Sequence, residues 1–370
     1  LFVINQYGEI ELDYDAEQFL IATPVIANLD QDDELEIIFA SLDNSSKIFA
    51  INYDGTSLDN YPININEKVY KGVAVADLTE DGNMDIIIAT KDGYLHAFDN
   101  AGNEISGFPF YAEDDIRSAP VIADIDFDQE LEILFGDDSG NFYCINKYGN
   151  LEFSYQASSS IRTSASIQMY MYEAHIYFTT INGELFSLDP EGSIRNGWPI
   201  TIGSNSSMAP VFSDFNSDGV YEVVITSFNE GVYIIDKDGV ILENYSMPSG
   251  STTSCSPLLI DIDDDNDVEI IYGYSSGISV VDDKNNSMPM SWNMYRANQH
   301  RTGFIDIENT IILGDVNYDQ LINILDIIEQ INFILGLNIL SGGEFISADM
   351  NSDGVIDILD ILQIVNIIME

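Results

Sequence analysis

Basic residues are scarce in this sequence. Its 370 residues include 12 Lys and Arg against 63 Asp and Glu, which gives a formal charge of −51 at pH 7. A charge of this sign repels nucleic acids and anionic membrane surfaces, so we expect neither as a partner, and cations are the natural one. A hydrophobic content of 45% nevertheless predicts packed cores, and the length allows two or more domains.

Cysteines, histidines and long apolar runs are also few. Cys144 and Cys255 lie in different repeats, so we expect two free thiols rather than a disulfide. No apolar run reaches the roughly 18 residues of a transmembrane helix. The three histidines lie in unrelated contexts, and no nucleophile elbow, zinc-binding helix or phosphate loop is visible. Signals for an enzyme are therefore weak.

Five acidic segments share one pattern, seen best in residues 214–222, DFNSDGVYE. Oxygen-bearing side chains stand at positions 1, 3, 5 and 9, and position 7 offers a backbone carbonyl, a set that suits the six to eight oxygen ligands of Ca²⁺. Positions 1, 3, 5, 7 and 9 are Asn28, Asp30, Asp32, Glu34 and Glu36; Asp77, Thr79, Asp81, Asn83 and Asp85; Asp124, Asp126, Asp128, Glu130 and Glu132; Asp214, Asn216, Asp218, Val220 and Glu222; and Asp261, Asp263, Asp265, Asp267 and Glu269.

Position 6 needs a residue that tolerates positive φ. Gly82 and Gly219 meet this need, Asp33 and Asn266 are the next best, and Gln129 is poorer. A single acidic turn would be read as a solvated loop. Five copies in phase predict metal binding.

The loops belong to a repeat of roughly 44 to 49 residues, close to one four-stranded propeller blade. Each unit has a short apolar strand, the acidic loop, a second strand such as residues 36–40, a third strand ending in a turn, and a fourth strand that closes with an aromatic–Pro pair in three units. We therefore predict an all-β radial array. Residues 1–14 match the second half of later units. Because the chain also lacks an initial Met and a signal peptide, we expect a processed or truncated product.

The fourth full unit departs from the pattern. Its loop, YMYEAH at residues 170–175, lacks the ligand spacing. We expect no metal there, and we expect packing of Ile167, Tyr177 and Phe178 to hold this unit together.

These units resemble the FG-GAP or VCBS repeats of integrin-α-type β-propellers. The resemblance covers residues 1 to about 290 and implies blades with a calcium loop between their first two strands. With the half unit counted, it implies seven blades, and six is the alternative. The turn at residues 188–192 also resembles the blades of quinone-dependent dehydrogenases, but the cofactor residues of that family are not identifiable here.

Residues 288–303, MPMSWNMYRANQHRTG, resemble a segment that often closes such propellers. Arg296, His300 and Arg301 form a basic cluster in it. This cluster is either an anchor to an acidic propeller face or part of a solvated linker. We place the propeller at residues 1–290, the closing segment and linker at 291–312, and a further domain at 313–370.

A 12-residue loop followed by an apolar helix occurs twice after Gly314, with an EF-hand-like arrangement in which Asp replaces Glu at position 12. The predicted ligands, including the position-7 carbonyls, are Asp315, Asn317, Asp319, Leu321, Asn323 and Asp326, and Asp349, Asn351, Asp353, Val355, Asp357 and Asp360. We predict helices from Ile327 to about Leu335 and from Ile361 to about Met369. The chain would then hold about seven Ca²⁺ ions, five in the propeller and two here.

This tandem resembles a type I dockerin, a small all-α, calcium-folded module that docks on a cohesin domain. Gln320 departs from the Gly expected at position 6 of the first loop. The residues at positions 10 and 11 help dockerins to choose their cohesin, and here they are Ile324 and Leu325, and Ile358 and Leu359. The alternative is that these residues pack inside the module or against the propeller.

The residues and resemblances together predict a secreted, non-catalytic calcium-binding propeller. It would bind or display at the cell surface or in an extracellular complex, attached to a cohesin-type partner. The calcium concentration outside cells favours export. Two alternatives stay open: a polysaccharide-acting lyase or hydrolase, or the C-terminal part of a larger secreted enzyme, with carbohydrate as ligand; and a subunit of a self-assembling extracellular structure that binds a neighbouring protein subunit.

Overall fold

The computed structural model describes residues 1–30, 32, 34–170, 173–203, 208–215, 220–263, 265, 267–282, 288–289, 292–305, 313–317, 322–337, 347–351 and 354–369. In this part of the chain, seven antiparallel β-sheets precede two α-helices. The predicted all-β order, followed by a small helical domain, is therefore confirmed.

The sheets follow one another along the chain, and each is a meander in which successive strands pair. The strands are β1 (Phe2–Ile4) and β2 (Ile10–Asp13) in the first sheet; β3 (Val25–Ala27), β4 (Glu36–Ala40), β5 (Lys47–Ile51) and β6 (Ile63–Asn64) in the second; β7 (Ala74–Ala76), β8 (Asp85–Ala89), β9 (Tyr94–Phe98) and β10 (Phe110–Tyr111) in the third; β11 (Val121–Ala123), β12 (Glu132–Gly136), β13 (Asn141–Asn146) and β14 (Leu151–Gln156) in the fourth; β15 (Ser166–Tyr170), β16 (Glu173–Thr179), β17 (Glu184–Leu188) and β18 (Ile200–Thr201) in the fifth; β19 (Val211–Asp214), β20 (Glu222–Ser227), β21 (Gly231–Ile235) and β22 (Ile241–Ser246) in the sixth; and β23 (Leu258–Ile260), β24 (Glu269–Tyr274) and β25 (Gly277–Asp282) in the seventh. A further strand, β26 (Met288–Pro289), pairs with β19 in the sixth sheet.

Consecutive sheets pack face to face, which explains why their second strands are rich in Ile and Val. Every residue of β8, β12 and β20 is buried, because these strands have a neighbouring sheet on both faces. Aromatic rings fill the space between sheets, as where Phe142 stacks on Phe178 with ring centroids 4.3 Å apart. The result is a propeller-like arrangement of sheets.

The three aromatic–Pro pairs precede the fourth strands rather than closing them, so the predicted position was wrong. Pro62, Pro109 and Pro199 stand directly before β6, β10 and β18, and each follows a cis peptide bond. An X-Pro bond lacks an N–H for the strand ladder, and a position just outside a strand satisfies that limit.

The segment of residues 292–305, which we call the axial segment, lies against the first strands of the sheets. In five of these strands the middle residue donates its backbone N–H to a carbonyl of the axial segment. The pairs are Ile26 to His300 (3.0 Å), Val75 to Thr302 (3.0 Å), Ile122 to Gly303 (2.8 Å), Phe212 to Trp292 (3.2 Å) and Leu259 to Asn293 (3.0 Å). Without these bonds the backbone N–H groups along the free edges of the first strands would have no acceptor.

Arg296 anchors the axial segment from inside. Its side chain is fully buried, and its guanidinium donates to the backbone carbonyls of Val73, Arg301 and Thr302. Neither sequence interpretation of the basic cluster is right for Arg296, since it contacts backbone oxygens rather than acidic side chains and is not solvated. The sequence could not show this, because carbonyl groups carry no residue signature.

Two helices, α1 (Ile324–Ile334) and α2 (Ile358–Met369), form the C-terminal domain. Each begins three residues before the predicted start. At α1 the reason is a capping box, in which Asn323 is the N-cap and the last loop carboxylate, Asp326, is already in the first turn. The core is small and centres on Val316, Ile327 and Ile364. None of the described helices is long and apolar enough to cross a membrane.

Replacing Arg296 with Met should destabilise the propeller by about 3 kcal/mol or more, because buried carbonyls lose a charged donor. We expect a clearly lower urea midpoint in an unfolding titration. Lys237→Met, which removes a positive charge at a partly exposed site, is the control and should change the midpoint little. Equal midpoints for the two variants would contradict the anchoring role of Arg296.

Candidate metal sites

A buried carboxylate at position 9 defines each of the five propeller loops. This residue is always the first residue of the second strand of its sheet, and it accepts the backbone N–H of loop position 2. The bonds are Leu29 to Glu36 (2.7 Å), Leu78 to Asp85 (2.9 Å), Ile125 to Glu132 (2.9 Å), Phe215 to Glu222 (2.8 Å) and Ile262 to Glu269 (2.7 Å). The five acids are all buried. One oxygen of each thus fixes the path of its loop.

In two of these acids the second carboxylate oxygen is buried without a hydrogen-bond donor in the part of the chain that the structure describes. Oε1 of Glu36 and Oε1 of Glu269 are buried and have no hydrogen-bond partner among the described residues. A buried carboxylate oxygen without a donor is costly, and a bound cation would satisfy it. The residues therefore fit a metal ion.

Three loops bring carboxylate oxygens together. In each group below, one oxygen per residue lies within 4.8 Å of the others, a spacing that could hold one cation. The groups are Asp30, Asp32 and Glu36; Asp124, Asp126 and Glu132; Asp261, Asp263 and Asp265, which overlaps with Asp265, Asp267 and Glu269. In the sixth-sheet loop, Asp214 ends β19 and Glu222 begins β20, while Asn216 and Asp218 lie outside the described residues.

Hydrogen bonds from backbone N–H groups to carboxylates hold the Asp77 loop in shape. The carboxylate of Asp77 accepts the N–H groups of Asp81 (3.1 Å) and Gly82 (2.8 Å), and Gly82 has a φ of +85°. Thr79 donates its N–H to Asp85 (2.9 Å), and Asn83 donates its own to Asp81 (2.8 Å).

The Asp124 loop repeats this fold without a glycine. Asp124 accepts the N–H groups of Asp128 (3.1 Å) and Gln129 (2.9 Å), and Gln129 has a φ of +71°. Gln129 thus adopts the left-handed conformation for which its side chain is poorly suited. Such strain persists where the surrounding loop requires it.

Burial makes these carboxylates unfavourable as bare anions. It raises the pKa of Glu132 to about 9, with a further contribution from the charge of Asp126. Burial likewise raises the pKa of Asp85 and of Asp124 to about 6. A divalent cation among such groups would stabilise their charged form. Glu34 and Glu130, at position 7, are instead more exposed, and Glu130 pairs with Lys147.

The fifth sheet has a much shorter connection, and the loop predicted at residues 170–175 was wrong in extent, because His175 lies in β16 and pairs with Gln168. Its first two strands pair as far as Tyr170 with Glu173, so only two residues, outside the described part, join β15 to β16. Ile167, Tyr177 and Phe178 are fully buried in the core between the sheets. Apolar packing replaces the acidic loop here.

The two C-terminal loops are closed by buried aspartates. Asp326 accepts the N–H groups of Val316 (2.7 Å) and Asn317 (3.1 Å) with one oxygen and that of Asn323 (2.7 Å) with the other.

Asp360 plays the same part in the second loop. It accepts the N–H groups of Asn351 (3.3 Å) and Asp357 (2.9 Å), while Asp349 accepts that of Gly354 (2.7 Å). Asp315 and Asp349 are buried at loop position 1, and Val355 is exposed. The predicted ligands Asp319, Leu321 and Asp353 lie outside the described residues.

The four residues predicted to meet a partner are exposed. The exposed fractions are 61% for Ile324, 50% for Leu325, 62% for Ile358 and 52% for Leu359. They therefore pack neither in the core of the module nor against the propeller, which were the two alternatives.

The exposed apolar face of α1 extends beyond the predicted pair. Ile324, Ile328, Ile331 and Leu335 are all at least 40% exposed and follow helical spacing. The sequence interpretation missed the last three, although this spacing was available to find them.

Comparisons with known families agree with this architecture. Residues 28–88 match an FG-GAP-like repeat and residues 313–369 match a dockerin type I domain. Both are non-catalytic modules that typically bind Ca²⁺. The predicted combination of FG-GAP repeats with a dockerin is confirmed. No curated protein sequence matches the chain.

Several solved structures are similar at low sequence identity. The V. cholerae biofilm matrix protein Bap1 has 19% identity and a TM-score of 0.49, and the match covers 63% of this chain and 41% of Bap1. The chain thus spans less than half the length of that protein. BBS1N, in a complex with ARL6DN, has 12% identity and a TM-score of 0.50, with 74% of this chain and 83% of BBS1N covered. This likeness concerns the fold alone.

Glu36→Gln should remove one Ca²⁺ and weaken the stabilisation that calcium gives. Binding at a hundredfold excess over Kd is worth roughly 2.7 kcal/mol per site. In calcium the variant should melt below the wild type. In chelator it should melt at the same or a higher temperature, because a neutral amide replaces a buried carboxylate near Asp30 and Asp32. Thermal unfolding in both buffers measures this.

Glu34→Gln is the matched control, since it removes the same charge from the same loop at a position expected to use its carbonyl. It should keep the full calcium response. If the two variants respond to calcium alike, Glu36 is not a ligand.

The connection between β15 and β16 should bind no metal while the five acidic loops do. Crystals grown in calcium and measured at a wavelength where calcium scatters anomalously would show this directly. We expect anomalous peaks at the loops beginning at residues 28, 77, 124, 214 and 261. A peak at residues 170–173 would contradict the repeat alignment.

Proposed function

We propose that this chain is a secreted, non-catalytic calcium-binding protein. Its propeller, at residues 1–290 and with seven blades, binds or displays in an extracellular complex. Its module at residues 313–370 docks on a cohesin-type partner, and residues 291–312 close the propeller and link the two. Chains that carry a dockerin are generally extracellular or attached to the cell surface, which supports this location.

One observation carries the docking proposal. Two Ile–Leu pairs are exposed on the first turns of α1 and α2. Large apolar side chains that cluster on a small module favour burial against a partner, and each is worth roughly 1.5–3 kcal/mol when buried. The match to a dockerin type I domain names the kind of partner.

Calcium would control this surface through the loops. Asp326 holds the start of its loop and the cap of α1 together, and Leu325 donates its backbone N–H to Asn323 (2.8 Å), another predicted ligand. Asp360 and Asp357 stand in the same relation to Leu359. A cation bound to these oxygens would therefore fix the backbone that carries each pair. We expect about seven Ca²⁺ ions in the whole chain.

Two of the three histidines, His96 and His175, have contacts that support a role without catalysis. His96 lies between Glu104 (2.6 Å) and Glu67 (3.3 Å). His175 is buried, and its burial, with smaller contributions from Arg195 and Lys237, lowers its pKa to about 3. The ring of His96 is thus held by two carboxylates, and His175 belongs to the core between sheets.

Changing all four pair residues, Ile324, Leu325, Ile358 and Leu359, to Asp should abolish cohesin binding. The fold should persist, because these side chains are outside the core and Asp is favourable in the first turn of a helix. Changing Ile324 and Leu325 alone should be tolerated if the second helix can lead. Calorimetric titration of a cohesin domain into each calcium-loaded variant measures the affinities.

The control is Ile241→Asp with Leu242→Asp, which alters an Ile–Leu pair of similar exposure on β22 of the propeller. It should bind cohesin like the wild type. Tight binding by a folded four-residue variant would refute the recognition role, and loss of binding in the control would point to the propeller instead.

A further inference from the structure

A cavity of about 720 Å³ lies where the first strands of the sheets begin. Its wall includes residues that precede β3, β7, β11, β15 and β23, together with two residues of the axial segment. The acidic loops follow the first strands, so the cavity and the loops are at opposite ends of those strands. A volume of this size is typical of sites for small ligands.

Positive charge is concentrated in this cavity. Four of the 12 basic residues of the chain line it, namely Lys71, Arg117, Arg162 and Arg301. None of its described lining residues is a carboxylate, although the chain has 63 of them. A chance distribution in so acidic a protein would place the opposite charge there. The cavity therefore suits an anion.

A carboxylate outside the cavity wall holds two of these arginines in position. Arg162 donates to both oxygens of Asp138 (2.7 and 3.0 Å), and the same carboxylate lies 2.9 Å from Nε of Arg117. Arg117 also covers the ring of Tyr70 at 5.0 Å. Asp115 also lies 3.3 Å from Nη2 of Arg117 and 3.5 Å from Nζ of Lys91, so three cations share two carboxylates and keep a net positive charge. These contacts limit the motion of the arginines before a ligand arrives.

Lys71 and Arg301 have no carboxylate partner among the described residues. Arg301 is anchored by a hydrogen bond from Nη1 to the carbonyl of Tyr295 (2.6 Å), and its backbone carbonyl accepts from the buried Arg296. Their charges are thus available to a ligand, and the charge of Arg296 adds to the positive potential below them.

The remaining wall narrows the class of ligand. Hydroxyl groups come from Thr23, Tyr70, Ser254, Ser256 and Tyr295, and Ile21 is the one large aliphatic side chain among the described lining residues. Such a wall offers many donors and acceptors, two aromatic rings and little apolar surface. A polyhydroxylated anion fits this combination better than a peptide with apolar side chains.

We propose that this cavity binds an acidic oligosaccharide, with Lys71, Arg117, Arg162 and Arg301 contacting the sugar carboxylates. The inference gives the propeller a ligand class and so deepens its proposed binding role. It is independent of the docking of the C-terminal module, since none of the lining residues belongs to that module.

The test is calorimetric titration of the whole calcium-loaded chain, at constant free calcium, with a trimer of galacturonic acid. We expect the galacturonic acid trimer to bind at least tenfold more tightly than a neutral galactose trimer. Lys71→Gln should weaken binding about tenfold to hundredfold, the effect of one charge-assisted hydrogen bond. Lys71→Arg should retain most of the affinity. Lys237→Gln, the same change at a distant site, should have no effect.

The absence of binding by the galacturonic acid trimer would overturn the proposal, and so would equal binding by Lys71→Gln. Equal binding by a triglutamate peptide would identify an acidic peptide site instead. Loss of binding through Glu36→Gln but not Lys71→Gln would assign the sugar to the calcium loops and would also overturn the proposal. Cohesin titration of Lys71→Gln should match the wild type, so failure of the sugar site is distinguishable from failure of docking.

Discussion

The propeller depends on a carboxylate buried where a strand begins. In five sheets this group receives a backbone N–H from the loop that it closes, so one side chain sets both the start of the second strand and the path of the loop. Burial next to other acids is unfavourable without a cation, as the raised pKa of Glu132 indicates. The residues that shape the repeat are therefore the same ones that a bound cation would stabilise.

The C-terminal module uses the same device in helical form. Asp326 and Asp360 are buried, close their loops through backbone N–H groups and stand in the first turn of a helix. A module with so small a core gains much of its order from these contacts. Propeller and module thus follow one rule, in which the acid that ends the loop lies at the start of the next strand or in the first turn of the next helix.

Local patterns explain what the sequence predicted well. The start of β4 at Glu36 follows from the spacing of acidic and apolar residues within one repeat. The loop expected at residues 170–175 was too long, because without acidic ligands β15 and β16 pair as far as Tyr170 and Glu173. The helix starts were wrong because the end of each loop is already helical: a capping box at Asn323 begins α1, and Asp357 accepts the N–H of Leu359 at the start of α2. The contacts of Arg296 were not predictable, since its partners are backbone carbonyls and one of them, Val73, is far away in the chain. The basic cavity was not predicted from the sequence for a related reason. Arg117 and Arg162 lie in successive repeats, and the packing of consecutive sheets places them side by side.

The axial segment also determines how load would enter the propeller. It directly precedes the C-terminal module in the chain, and its backbone bonds reach first strands from Ile26 to Leu259. Tension applied through an attached module would therefore be shared among five sheets at the centre, rather than peeling one sheet from the rim. Resistance to pulling is governed by the rate of unfolding, and a load divided over several buried hydrogen bonds slows that rate. The axial segment thus connects an attached module to the first strands of five sheets at once.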